Sequence, residues 1–153
     1  SHWWILAFAE EGLSTPAVFH TFDTMADGNP KLDFLDSALA HRDKESFAQP
    51  VVPAHLAEMV TNNLMPAALT MRPELADVGG AMVEQRPGSP AALVWIVSGS
   101  GPTIAGLARS QEEAVAVATR VSSLPGVRGV AVAWGPGVSA QVEDRLPEWA
   151  IGG

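Results

Sequence analysis

Residues 92–108 constrain the fold more than any other stretch. Ala92-Leu93-Val94-Trp95-Ile96-Val97 is an apolar run of strand formers, and Thr103 to Ala108 is a second. Between them stands Ser98-Gly99-Ser100-Gly101-Pro102, too short for anything but a tight connection. Two such runs around a glycine-bearing loop predict a β-hairpin. Next, Ser110-Gln111-Glu112-Glu113 has capping-box spacing: the serine oxygen accepts from the third amide and the glutamate reaches back to the serine amide. It opens a predicted helix with Ala114, Val117, Ala118 and Val121 inward. Pro125-Gly126 turns the chain, and Val127 to Trp134 alternates as a last strand.

The front of the chain adds one strand and a set of helices. Trp3 to Ala9 reads as a buried strand ended by Glu10-Glu11-Gly12. Ser14-Thr15-Pro16 is a helix start, with Thr15 as the cap and Pro16 at the first helical position, where no N–H is needed. That helix is expected to reach about Ala26, with Val18, Phe22 and Met25 as its core stripe, before the turn Asp27-Gly28-Asn29-Pro30. Phe34, Leu35, Ala38 and Leu39 predict a second helix closing near Arg42. A third is expected over Pro53 to Leu64, with Leu56, Met59, Val60 and Leu64 on one face. A fourth runs from Pro73 to Glu84, weakened by Gly79-Gly80, since each glycine costs a helix about 1 kcal/mol against alanine. Arg86 to Pro90 is a turn.

Strand, helices, strand, strand, helix, strand is the order of an α+β layer fold, with helices over a mostly antiparallel sheet. Strand neighbours point to opposite faces, so Trp3 and Trp4 cannot both be core. One is expected at the surface or against another part of a longer chain. The chain does not begin with Met and reads as a fragment, with Ser1-His2 as an added remnant.

Composition removes whole classes of function. With 47% apolar and 17% charged residues, the chain can build a core and disorder is not expected. Its net charge of -8 opposes nonspecific nucleic-acid binding and docking on anionic membranes. Having no cysteine, it can use neither disulfides nor thiolate chemistry, which fits a cytoplasmic protein. The apolar opening run is too short to span a bilayer. His20, His41 and His55 lack metal-ligand spacing, and no metal site is expected. His41-Arg42-Asp43 mimics a protein-kinase catalytic loop, but Ala48 stands where the metal-binding Asn would be. Asp33 with Asp36, and Glu112 with Glu113, read as solvated helix faces.

The Ser98–Thr103 loop carries the chemistry. Glycines at alternate positions let successive amides point into one concavity and hold an anion, and Ser100 and Thr103 add hydroxyl donors. No lysine follows, so it is not a Walker loop, and no helix opens directly after it, so it is not a dinucleotide fingerprint. A plain hairpin without a ligand has the same residues, and spacing alone leaves the two equal.

Ile96-Val97-Ser98-Gly99-Ser100-Gly101-Pro102-Thr103 resembles the third, C-terminal motif of the GHMP kinases. Leu6-Ala7-Phe8-Ala9 with Gly12-Leu13-Ser14-Thr15-Pro16-Ala17-Val18-Phe19 resembles the segment that opens the C-terminal half of the cytidine-substrate branch of that family. Asn62 to Leu69 with Arg72-Pro73-Glu74-Leu75 is a third, weaker match, departing from the family at Asn63 and Met65. The resemblance implies a ferredoxin-like GHMP-kinase C-terminal domain over 1–135, with a four-stranded sheet and helices on one face. Residues 136–153 would be a Pro/Gly-rich tail. It implies that Thr15, Pro16 and Phe19 meet the substrate, Phe19 stacking on cytosine, and that Ser98, Gly99, Ser100, Gly101 and Thr103 line the phosphate side. On helical position alone, Phe19 is divided between core packing and a ligand face.

The implied activity is ATP- and Mg2+-dependent phosphorylation of a hydroxyl of a cytidine-linked methylerythritol, a step of non-mevalonate isoprenoid synthesis. The family's phosphate loop and its catalytic Asp and Lys belong to an N-terminal half that this chain lacks. The resemblance therefore implies no catalytic residue here and no turnover by this chain alone. Two alternatives stay open: a GHMP kinase acting on homoserine or a mevalonate, and a non-catalytic ferredoxin-like ligand-binding module.

Overall fold

The computed structural model describes residues 2–25 and 57–135. The expected helix near Arg42, the turn at 27–30, the His41-Arg42-Asp43 triplet and the tail 136–153 lie outside them. Four strands and four labelled helices run in the order β1 His2–Ala9, α1 Thr15–Met25, α2 Met65–Met71, α3 Glu74–Val83, β2 Val94–Val97, β3 Ile104–Ala108, α4 Gln111–Val121 and β4 Val127–Gly135. The sheet order is β2-β3-β1-β4 with every pair antiparallel. This is the ferredoxin-like arrangement that the family resemblance implies, and it fits the α+β layer fold read from the element order.

Alternation explains the core. Trp3, Ile5 and Ala7 of β1 share a face with Val97 and Ile104, and α3 and α4 cover that face. Ala114, Val117, Ala118 and Val121 of α4 are all buried, as its period requires. Trp3 packs on this core while Trp4 points to the opposite face with Leu6 and Phe8, and both tryptophans end half-buried.

Gly79 is a requirement of this packing. A Cβ there would stand 2.1 Å from the Trp95 indole, so α3 can cross β2 only with hydrogen at that position. Arg120 then locks the layer from α4. Its Nη1 donates to Ser89 Oγ (3.0 Å) and Pro90 O (2.8 Å), and its Nη2 to Ala81 O (2.9 Å) and Met82 O (3.2 Å). Two of these acceptors are last-turn carbonyls of α3, which a cation satisfies well.

Several local expectations are corrected. The helix foreseen over Pro53 to Leu64 is helical at 57–59 and broken by residue 60, and a new helix, α2, starts at Met65. Asn62 causes the break, because its side chain serves other backbone groups, and Pro66 suits the first turn of α2. Met25 is not core: it is 50% exposed at the end of α1, beside Thr70. At α4, Ser110 Oγ accepts from the Glu113 amide (3.2 Å), as expected. The Glu113 carboxylate, however, accepts from the Arg109 amide (2.9 Å) rather than that of Ser110. The carboxylate reaches one residue further, where Arg109 Nη1 also meets it at 3.5 Å.

Candidate functional site

The β2–β3 connection is a hairpin loop pinned on three sides. Inside it, Ser98 N donates to Thr103 O (2.8 Å), and Gly101 N donates to Ser98 O (2.9 Å), which closes a four-residue turn. Gly99 and Gly101 both have positive φ, +59° and +84°, so L side chains there would be strained. Gly101 faces inward: a Cβ would meet Val97 Cγ1 at 3.1 Å and Leu13 Cδ1 at 3.2 Å, with Ala68 behind. Gly99 faces open space.

The start of α1 meets this loop. Thr15 Oγ1 and Ser100 Oγ lie 2.8 Å apart, as hydrogen-bonded hydroxyls 85 positions apart in sequence. Thr15 is free to do this because it is not the cap. Ser14 O accepts the first helical bond from Val18 N (3.0 Å), and Ser14 Oγ faces Ala17 N at 3.4 Å. The expected cap thus moves from Thr15 to Ser14, and Pro16 stands one position further into the helix. Arg72 steadies the approach. It pairs with Glu74 and Glu11 and donates to Gly12 O, tying the β1–α1 turn to the start of α3. The Glu74 carboxyl is held below the usual carboxylate range by backbone hydrogen bonding at the helix start and then by Arg72.

Phe19 is 49% exposed, although its neighbour Val18 is fully buried. The core reading of Phe19 therefore fails. Thr15 and Phe19 are four residues apart in one helix, so they share a face one turn apart. The structure thus gathers Thr15, Phe19 and the Ser98–Thr103 loop at one end of the sheet. Neither the Gly99 nor the Ser100 amide donates to a described residue. Free amides and hydroxyls of this kind suit an anion such as a phosphate. Among the described residues no group of three or more His, Asp or Glu is placed to hold a metal ion.

Asn62 has no role in the sequence reading beyond the weak third match. Its Nδ2 donates to Val97 O and Gly99 O, both at 2.7 Å, and its Oδ1 accepts from Leu64 N at 3.0 Å. An asparagine interrupting a helical pattern just before Pro66 is the signal that could have marked it.

The architecture is that of the C-terminal domain of GHMP-type kinases. A homoserine kinase from Cytophaga hutchinsonii superposes with a TM-score of 0.59 over 86% of this chain and 40% of that one, at 18% identity. The sequence leads to a narrower group. The chain is 40% identical over 148 residues to 4-diphosphocytidyl-2-C-methyl-D-erythritol kinase of Nocardia farcinica, covering 92% of this chain and 43% of that kinase. It is 42% identical over 143 residues to the kinase of the same name from Mycolicibacterium smegmatis, covering 91% and 41% respectively. The chain thus spans about four tenths of the length of these curated relatives. No protein-family model matches it. Among the described residues no helix is long and apolar enough to cross a membrane.

Proposed function

We propose that this chain is the substrate-side C-terminal part of an ATP- and Mg2+-dependent kinase that phosphorylates a hydroxyl of 4-diphosphocytidyl-2-C-methyl-D-erythritol. The observation that carries this is the junction of Thr15 with Ser100, one helical turn from an exposed Phe19. A planar aromatic beside free amides and hydroxyls matches a ligand with a base at one end and phosphates near the other. Relatives of that name over nine tenths of the chain support the same substrate against homoserine or a mevalonate.

In this reading Thr15 and Pro16 shape the acceptor side, Phe19 stacks on cytosine, the Gly99 and Ser100 amides face phosphate, and Ser98, Gly101 and Thr103 hold the loop that carries them. Phosphoryl transfer depends on positioning and charge neutralisation, and this chain contributes positioning only. ATP, Mg2+ and the catalytic groups are held by an N-terminal half, which is the partner of residues 1–135. The same reading has the enzyme work in the cytoplasm, in non-mevalonate isoprenoid synthesis.

The test uses the full-length polypeptide. It should form ADP from ATP only when the cytidine-linked alcohol is present, and residues 1–153 alone should not. Base–aromatic stacking is worth about 1–3 kcal/mol, so Phe19→Ala should raise the KM for that alcohol about five-fold or more and leave the KM for ATP unchanged. Absence of turnover, or an equal rise in both constants, would overturn the reading.

A further inference from the structure

We infer that Asn62 is a positioning residue that presents the loop's amides to phosphate; the inference rests on the anion-facing loop of the proposed function. Three bonds fix its carboxamide. Oδ1 accepts from Leu64 N, and Nδ2 donates to Val97 O and Gly99 O. The orientation is unambiguous: exchanging oxygen and nitrogen would set one oxygen against two carbonyls and a nitrogen against an N–H.

The consequence follows from the planarity of the peptide bond. In a trans peptide the carbonyl and the next residue's N–H point in opposite directions. Asn62 holds the Gly99 carbonyl, so the Ser100 N–H is directed away from Asn62. It also holds the Val97 carbonyl, which directs the Ser98 N–H to Thr103 O and squares the hairpin. The Gly99 N–H is turned by the same logic, because the Ser98 carbonyl is held inside the turn by Gly101 N. Without Asn62 nothing else among the described residues holds the Gly99 carbonyl, and with Gly99 at positive φ in open space that peptide can flip. A flipped peptide would offer the anion a carbonyl oxygen in place of the Ser100 amide.

Asn62 also joins the site to α2. Leu64 precedes the first residue of α2, and Ala68 of that helix lies behind Gly101. One side chain thus sets the loop from the helix beneath it.

The experiment uses the 15N-labelled full-length polypeptide with inorganic diphosphate as the probe. In the unaltered protein, diphosphate should shift the Gly99 and Ser100 amide resonances. Asn62→Asp keeps the size of the side chain and the acceptor for Leu64 N but replaces the donor with an oxygen. It should weaken diphosphate binding at those two amides about ten-fold, with the Ala114 and Val117 resonances unchanged. Asn62→Ala, which removes the repulsion, should weaken it as well. In turnover, both variants should raise the KM for the phosphate-bearing substrate, with a thermal midpoint within a few degrees of the unaltered protein.

The inference is overturned if both variants bind diphosphate as the unaltered protein does, or if their only effect is a general loss of stability. Failure of the functional reading looks different. If diphosphate binding depends on Asn62 but no cytidine-linked alcohol is phosphorylated, the positioning role stands and the proposed substrate falls. If the enzyme is active and both variants keep its KM, the positioning role falls alone.

Discussion

Gly79 and Gly99 are both glycines against β2, yet they serve opposite ends of the molecule by opposite means. On the helix-covered face, Gly79 admits the Trp95 ring where a Cβ would stand 2.1 Å from it. At the loop end, Gly99 has no heavy atom within 4 Å of its would-be Cβ and uses its positive φ instead. The polar contacts divide in the same way. Arg120 gives its four bonds to fixed backbone and side-chain oxygens inside the layer, whereas Thr15 and Ser100 share one exposed hydroxyl pair. The covered face is specified by close approach and leaves little free. The loop end keeps hydroxyls, amides and an aromatic ring available. If the loop end binds a ligand as proposed, substitutions should separate stability from recognition.

The largest effect is expected at Gly79. Gly79→Val places two methyl groups where the indole lies and should cost about 3 kcal/mol, read as a lower denaturation midpoint in chemical unfolding. Its neighbour has nothing within 4 Å, so Gly80→Ala should stabilise by about 0.5–1 kcal/mol through helix propensity. Equal effects at the two positions would break the account of the covered face.

Arg120→Met comes next. It removes the donors to Ala81 O, Met82 O, Pro90 O and Ser89 Oγ and should cost about 2 kcal/mol. Arg120→Lys should recover only part, since one ammonium cannot span four acceptors arranged around a planar fork. Full recovery by lysine would mean that charge alone closes the layer.

Thr15→Val tests the other end. The lost contact is exposed, so stability should fall by no more than about 1 kcal/mol. In the proposed kinase, the KM for the alcohol should nevertheless rise, while Gly80→Ala leaves it unchanged. A stability loss as large as that of Arg120→Met would erase the difference between the two ends.

The smallest effect concerns Glu74. Its carboxyl is held below the ordinary value, so its contribution is present above the unfolded carboxylate pKa and is lost as pH falls through the folded one. The group is exposed and screened by solvent. Glu74→Gln should therefore lower the thermal midpoint slightly at neutral pH and not at all in acid. A deficit that persists in acid would assign the effect to packing.

Comparing residues with their places shows what was legible in the sequence. The β2–β3 hairpin, the inward face of α4 and the order of the four strands follow from alternation, from the helical period and from turn residues, all of which are local. The missed features are those in which a side chain serves backbone far away in sequence. Asn62 breaks a helical pattern to bind Val97 O and Gly99 O, 35 and 37 positions on. The cap moves from Thr15 to Ser14, which leaves the Thr15 hydroxyl for Ser100. Gly101 also packs inward: a Cβ there would press on Val97 and Leu13, so Gly101→Val should strain the fold as well as the loop.

The sequence by itself determined the four strands, α1, α3, the inward face of α4, the glycine loop and the family resemblance, because periodicity and motif spacing are properties of neighbouring residues. Only the tertiary structure decided that Phe19 is exposed, that a Cβ at Gly79 meets Trp95 while one at Gly80 meets nothing, and that Asn62 bonds to the loop. Each of those depends on an atom brought close by the folding of distant segments, and no local pattern encodes that distance.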